Sequence, residues 1–344
     1  FGINGVPPAN YEGGFGRTVA AIGDLDGDGI SELAIAALRT DISAGTVYIM
    51  FLNNTGGVKN SIRLSTNQNG VPVISNANSF GSAIAALGDF DGDGVPDIAV
   101  GAESESAPSF NEGAVYMFLL NSNGSVKNSV RLASSQNGMP TLPNTANFGR
   151  SIAAVGDIDG DGVSDMVVGA QYDGNTGALY TLLLNANRTV KSSVRIGSNS
   201  NGGPALNSGD RFARAVATIG DLDGDGSAEV VVGAPDDDTG GTNRGAAYVL
   251  YLNNTGSVKR QVKIAHGLNG GPNLNDSDNF GSAVAPLGDF DQDGRLDFIV
   301  SSTGDDTGGL NRGSFYQLYL NGDATPPAFN AIQRQSPLNA STNA

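Results

Sequence analysis

The sequence predicts an all-β fold made of five repeated four-stranded antiparallel sheets, and three observations lead to this prediction. An acidic segment with the pattern Gly-Asp-x-Asp-x-Asp-Gly occurs five times at intervals of 64–68 residues. A Phe stands nine residues before the first Asp of each segment, and a Tyr follows that Asp after 23–27 residues. Each repeat also contains four short apolar runs bounded by Gly, Asn and Asp, a pattern typical of strands joined by turns.

The four apolar runs, labelled A to D, are clearest in the second repeat, where they read SAIAALGD, DIAVGA, GAVYMFLLN and SVKNSVRLA. Runs A to C are apolar on both faces, as expected of strands covered by neighbouring sheets. Run D alternates apolar and polar residues, and its basic stripe is typical of an outer edge strand protected by charge. The short Asn- and Gly-rich segments between C and D suit tight hairpins.

Four antiparallel strands repeated at this period predict the blades of a β-propeller. The repeats begin near Phe15, Phe80, Phe148, Phe212 and Phe280. We predict that residues 1–325 form the propeller and that residues 326–344 form a C-terminal strand or tail, because Pro326-Pro327 interrupts the expected last strand. Five blades suffice for a small ring, and the alternatives are a part of a larger propeller or of a polymer.

The composition excludes several classes of protein. Acidic residues outnumber basic ones 35 to 19, which gives a net charge of −16 and argues against nucleic-acid binding. No apolar run approaches the roughly 18 residues of a membrane-spanning helix. The chain has no Cys and a single His, so disulfides, a multi-His zinc site and a Ser-His-Asp triad are disfavoured. Because it starts at Phe1, we expect a mature product or an excised piece.

The loop between strands A and B carries the chemistry. Carboxylates at its positions 1, 3, 5 and 9 and the carbonyl oxygen of position 7 can converge on one hard cation, and Ca²⁺ takes six to eight such oxygens. The predicted calcium ligands are Asp24, Asp26, Asp28, Ile30 and Glu32; Asp89, Asp91, Asp93, Val95 and Asp97; Asp157, Asp159, Asp161, Val163 and Asp165; Asp221, Asp223, Asp225, Ser227 and Glu229; and Asp289, Asp291, Asp293, Arg295 and Asp297.

An EF-hand and a set of solvated turns are the two alternatives to a calcium loop of this kind. An EF-hand needs a Glu at position 12 and flanking helices, whereas position 12 is apolar here and the flanking runs are strands. Solvated Asp-Gly turns would leave four carboxylates in mutual repulsion, five times over. The sequence therefore favours about five structural calcium ions, one per repeat, whose binding is linked to folding.

The order Phe-Gly, acidic loop, Gly-Ala(-Pro) resembles the FG-GAP repeat of the integrin α-subunit propeller and of bacterial surface proteins. Phe-Gly pairs begin at Phe15, Phe80, Phe148 and Phe280, while the fourth repeat has Phe212-Ala213. The resemblance implies a calcium-stabilised, extracellular or cell-surface propeller for adhesion or recognition. Integrin propellers have seven repeats and this chain has five, so integrin itself is the wrong identity.

The resemblance also implies a ligand face opposite the calcium loops, where the B–C loops vary in length between repeats. Ligand contacts there are predicted at Asp237, Asp238, Arg244, Asp305, Asp306 and Arg312. The predicted partner is a protein or glycan, or a second copy of the chain, and no catalytic residues are predicted. The alternatives are a building block of a filament or surface layer and, less favoured, a polysaccharide-acting enzyme. Turn residues that pair with one another are the other interpretation of the ligand set.

Overall fold

The computed structural model describes residues 13–39, 44–74, 79–106, 109–307, 309–310, 312–320 and 329–335. Its residues group into two compact units, one of residues 1–173 and 180–193 and the other of residues 174–179 and 194–344. The sole helix among the described residues is the short 3₁₀ turn Asp173–Asn175, and no described helix has the length and hydrophobicity needed to cross a bilayer.

Twenty strands form five four-stranded sheets, the blades of a β-propeller, and this confirms the predicted fold class. In each sheet the strands lie side by side in chain order. Blade 1 contains β1 (Gly13–Gly23), β2 (Glu32–Arg39), β3 (Thr46–Leu52) and β4 (Val58–Leu64). Blade 2 contains β5 (Phe80–Gly88), β6 (Asp97–Ala102), β7 (Ala114–Leu120) and β8 (Val126–Ala133). Blade 3 contains β9 (Phe148–Gly156), β10 (Asp165–Ala170), β11 (Ala178–Leu184) and β12 (Val190–Ile196). Blade 4 contains β13 (Ala215–Thr218), β14 (Val230–Ala234), β15 (Ala246–Leu252) and β16 (Val258–Ala265). Blade 5 contains β17 (Phe280–Gly288), β18 (Asp297–Ser302), β19 (Ser314–Leu320) and β20 (Phe329–Gln335).

The burial of each strand follows its place in the blade. The third strands β7, β11 and β15 are buried along their whole length. The outer strand β8 is less buried than the third strands: its first residue and last two are buried, and the five between them are exposed or half-buried without the alternation predicted for run D. Apolar side chains of neighbouring blades share one core, as Ile49 of blade 1 and Phe118 of blade 2 do. This shared burial explains why a single repeat cannot bury its apolar faces alone.

The constant Phe and Tyr of each repeat meet within their own blade. Their ring centroids lie 5.5–5.9 Å apart in all five blades, and four of the pairs are edge-to-face. Such aromatic pairs contribute about 0.5–1.5 kcal/mol beyond the area that they bury. The pairing accounts for the regular spacing of these two residues in the sequence.

Two glycine contacts bring neighbouring blades close together. A Cβ atom on Gly101 of blade 2 would lie 2.0 Å from the carbonyl oxygen of Gly149 in blade 3, and Gly233 of blade 4 stands in the same relation to Gly281 of blade 5. Gly101 and Gly233 belong to Gly-Ala segments, while Gly149 and Gly281 belong to Phe-Gly segments. The two halves of the repeated motif are therefore the two sides of one backbone contact between blades.

The fifth blade is completed by β20, which pairs antiparallel with β19. This strand lies within the predicted C-terminal strand or tail. Pro326-Pro327 and residues 336–344 lie outside the described residues, so the boundary at residue 326 stays a prediction.

We expect the substitution Gly101→Ala to lower the free energy of unfolding by about 1–3 kcal/mol, the usual cost of overpacking. The added methyl group would overlap the Gly149 carbonyl oxygen. The control is Asn54→Ala at an exposed position of a hairpin turn, where surface substitutions usually change stability by no more than about 0.5 kcal/mol. Urea denaturation measures both variants, and a loss in Gly101→Ala no larger than in the control would contradict the close contact.

Candidate metal centres

Each A–B loop is folded around the carboxylate at position 1. In blade 2, Asp89 accepts backbone hydrogen bonds from Gly92 at 2.8 Å, Asp93 at 3.0 Å and Gly94 at 2.8 Å. Gly92 and Gly94 have φ of 77° and 86°, and glycine adopts this left-handed conformation without a steric penalty. The alternation of Asp and Gly therefore lets the backbone wrap around one side chain.

The carboxylate at position 9 ties the loop to the blade. Asp97 accepts the Phe90 amide at 3.0 Å through one oxygen and the Leu120 amide, at the end of β7, at 2.9 Å through the other. Asp165 of blade 3 and Asp297 of blade 5 make the corresponding pairs of bonds. Burial raises the pKa of Asp97 and Asp165 to about 6 and that of Glu229 to about 7.

Three carboxylates converge in every loop. One oxygen from each of them lies within 4.8 Å of the others. The five groups are Asp24, Asp26 and Glu32; Asp89, Asp91 and Asp97; Asp157, Asp159 and Asp165; Asp221, Asp223 and Asp225; and Asp289, Asp291 and Asp297. Positions 1, 3 and 9 thus meet in the loops of blades 1, 2, 3 and 5, while positions 1, 3 and 5 meet in the loop of blade 4.

Three buried carboxylate oxygens in these loops have no hydrogen-bond donor. They are Oε1 of Glu32, Oε1 of Glu229 and Oδ1 of Asp159. A buried acceptor without a partner is costly, and a bound cation would satisfy it. The donor set, made only of oxygens, matches a hard divalent ion. The residues present therefore fit a calcium ion.

A lysine from the outer strand reaches the carboxylates in four of the loops. Lys59 lies 2.8 Å from Asp26, Lys127 2.6 Å from Asp91, Lys191 2.6 Å from Asp159 and Lys259 3.0 Å from Asp223. Each of these lysines also pairs with the position-5 carboxylate of its loop. Their hydrogen bonds lower the pKa of those carboxylates, which are Asp28, Asp93, Asp161 and Asp225.

These lysines were predicted to protect an edge strand, and their contact with the acidic loops was missed. A signal was present in the sequence, because each is the second residue of its outer strand. In β20 the same register position holds Asn330.

The predicted ligand contacts on the B–C loops differ in burial, and two of the six are buried. Asp237 and Asp305 are each 1% exposed. Asp237 accepts hydrogen bonds from Tyr248 at 2.9 Å and Lys263 at 2.6 Å, and Asp305 accepts them from Tyr316 at 3.0 Å and Ser314 at 2.6 Å. Both carboxylates are therefore buried against the tyrosine of their own blade, and their predicted role as ligand contacts stays a prediction.

The other four predicted contacts, Asp238, Arg244, Asp306 and Arg312, are exposed or half-buried. Asp238 accepts the Asn243 amide at 2.8 Å, and Arg244 pairs with Asp276 at 2.8 Å. Glu105 and Asp173 hold the blade tyrosines of repeats 2 and 3 as Asp237 does in repeat 4. Sequence reasoning missed this role, although an acid stands three residues after the Gly-Ala pair in all three repeats.

Sequence comparison places the repeats in a known family. A model of the FG-GAP-like repeat matches residues 24–100 and 89–168, and a model of the FG-GAP repeat matches residues 212–250. Human integrin alpha-IIb is 35% identical over 60% of this chain and 19% of its own length. Integrin alpha-4 of Xenopus laevis is 34% identical over 45% of this chain and 14% of its own length.

The matches also include a bovine phosphatidylinositol-glycan-specific phospholipase D, which is 33% identical over 43% of this chain and 18% of its own length. The chain thus spans less than a fifth of each of these three relatives. Together with the five blades and their acidic loops, the matched repeats identify this chain as a member of the FG-GAP repeat family.

Proposed function

We propose that the five A–B loops bind structural calcium ions and that the propeller serves adhesion or recognition at a cell surface without catalysing a reaction. The observation that carries the proposal is the convergence of three carboxylates in every loop. Buried oxygens that lack donors at Glu32, Asp159 and Glu229 support it.

Calcium fits this donor set better than the other common metal ions. The loops offer carboxylate and carbonyl oxygens and no Cys or His, whereas zinc and copper prefer nitrogen or sulfur ligands. Mg²⁺ demands near-ideal octahedral geometry, while Ca²⁺ tolerates the irregular sets that a nine-residue loop provides. Each ion would bridge positions that the chain already ties to strands A, B and C, and so would link metal binding to folding.

A recognition role is supported by the similarity to integrin α chains. Non-catalytic function is proposed because the carboxylates that converge in the loops are the ones that would ligate calcium, which leaves none of them as a base. The exposed and half-buried residues of the B–C loops remain the proposed contacts: Asp238, Arg244, Asp306 and Arg312. An extracellular setting is proposed with them, since extracellular calcium modules work at about 10⁻⁴–10⁻³ M.

We expect isothermal titration to give five calcium ions per chain for the native protein and four for Asp91→Asn. Asp91 is one of three converging carboxylates in the second loop, and the amide removes its charge while keeping its shape. The matched control is Asp238→Asn, outside the loops, which should still bind five. At 100 times the dissociation constant each ion adds about 2.7 kcal/mol of stability, so chelator should lower the melting temperature. Unchanged melting in chelator would contradict the structural role.

We expect Lys127→Met to raise the calcium affinity of the second loop several-fold. The ammonium group pairs with Asp91 and Asp93 and repels an incoming ion. The same substitution should destabilise the calcium-free protein, because the two carboxylates lose their counter-charge. Competition with a chromophoric chelator measures affinity, and melting in chelator measures stability. Lys127→Arg keeps the charge and serves as the control. Equal calcium affinities of the Lys127→Met variant and the native protein would contradict competition between the lysine and calcium.

The state of association separates recognition from the building-block alternative. We expect light scattering in millimolar calcium to report discrete particles of constant mass across a range of protein concentrations. Ordered polymers, visible by negative-stain electron microscopy, would instead favour a filament or surface layer.

A further inference from the structure

Blade 4 departs from the other blades at three positions that meet in space. Arg211 stands where blades 3 and 5 have Asn147 and Asn279, and Ala213 stands where they have the Gly of Phe-Gly. Asp236, two residues after the Gly-Ala pair, corresponds to Ser104 of blade 2. In blade 2 the equivalent pair is Ser79 and Ser104, whose hydroxyl groups lie 3.1 Å apart. In blade 4 the pair is charged, with Arg211 2.6 Å from Asp236.

The backbone of blade 4 keeps the left-handed conformation of the other blades at these positions, although the residue types have changed. Arg211 and Ala213 have φ of 52° and 64°, as Asn147 and Gly149 of blade 3 have φ of 56° and 88°, and Asn and Gly adopt such values more readily than Arg and Ala. Its inner strand β13 is four residues long, whereas β9 and β17 are nine. Arg and Ala in this conformation carry backbone strain, and both lie next to the shortened strand of blade 4.

A polar cavity of about 310 Å³ opens beside these residues, between blades 4 and 5. Its lining includes Arg211, Arg214, Asp236, Asn243, Asn279 and Thr303. Asn279 donates hydrogen bonds to the carbonyl oxygen of Pro235 at 3.1 Å and to the Asp236 carboxylate at 3.0 Å. The amide thereby fixes the orientation of the acid within the lining.

The charges of the lining favour an anion. Two guanidinium groups and one carboxylate line the cavity, and the carboxylate pairs with Arg211. Guanidinium groups bind carboxylates through paired hydrogen bonds. The amide, hydroxyl and carboxylate groups of Asn243, Thr303 and Asp236 suit the hydroxyl groups of a ligand. Pro235 is the one apolar residue of the lining, which disfavours an apolar peptide side chain.

We propose that this cavity binds one acidic sugar unit, a uronate, with its carboxylate at the arginines and its ring hydroxyl groups at the neighbouring amide, hydroxyl and carboxylate groups. The cavity lies at the small end of the range for ligand pockets, which matches a single unit at the end or within a chain. This inference rests on the proposed recognition function and names the ligand class of one site on that face.

The test uses the calcium-loaded full chain and trigalacturonate as the probe, with binding measured by calorimetry and by amide chemical shifts. We expect saturable binding, with shifts at Asp236, Asn243 and Asn279, and no binding of the neutral maltotriose. Arg214→Gln should weaken binding at least tenfold, and Arg214→Lys should weaken it less. The matched control is Arg150→Gln, the same position in blade 3, which should bind as the native protein does.

Equal binding of maltotriose, an equal loss in Arg150→Gln, or shifts confined to other residues would overturn the proposal. Binding of an aspartate-rich peptide at these residues in place of the sugar would also overturn it. If Arg214→Gln fails to fold, the shifts in the native protein decide. The calcium titration tests the proposed calcium sites independently of the uronate site. A protein that binds five calcium ions but no uronate would contradict only the uronate site.

Discussion

Mutual repulsion among clustered carboxylates is the constraint on which each blade depends. Three oxygens from three acids lie within 4.8 Å in every A–B loop, and such an arrangement persists only with counter-charge or strong hydrogen bonds. The chain supplies part of this itself. In blade 2, position 1 is held by loop amides, position 9 by amides of the loop and the third strand, and positions 3 and 5 by a lysine of the outer strand. The loop of blade 2 thereby connects all four strands of its blade.

The opposite end of the blade is stabilised without an external ion. There a buried acid accepts a hydrogen bond from the hydroxyl group of the blade tyrosine, as Glu105 does from Tyr116 and Asp237 from Tyr248. Arg131 and Lys263 of the outer strands neutralise these two acids. Because the charges are matched within the blade, the exposed parts of the B–C loops are free to differ between repeats. The variable surface therefore lies at the internally satisfied end, away from the acidic loops.

Spacing in the sequence was sufficient to predict the blades, because the Phe–Tyr pairs and the Phe-Gly and Gly-Ala contacts are regular in both chain and space. Residue type and spacing also located the acidic loops. The direction in which individual side chains point could not be predicted from the sequence. Asp237 and Asp238 are neighbours in one loop, yet the first is buried against Tyr248 and the second accepts an amide at the surface. The cavity beside blade 4 could not be predicted for a related reason, since its lining comes from four separate segments between Arg211 and Thr303.

The lysines make the five loops unequal. In blades 1 to 4 an ammonium group is tethered beside the carboxylates, so the loops retain a counter-charge when calcium is absent. In blade 5 the equivalent register position holds Asn330, and Gln292 replaces the first loop glycine with φ of 64°. The loop of blade 5 therefore has a strained backbone, no lysine at that position and an arginine, Arg295, as its own seventh residue. Its counter-charge comes from within the loop sequence, whereas the loops of blades 1 to 4 receive theirs from the outer strand.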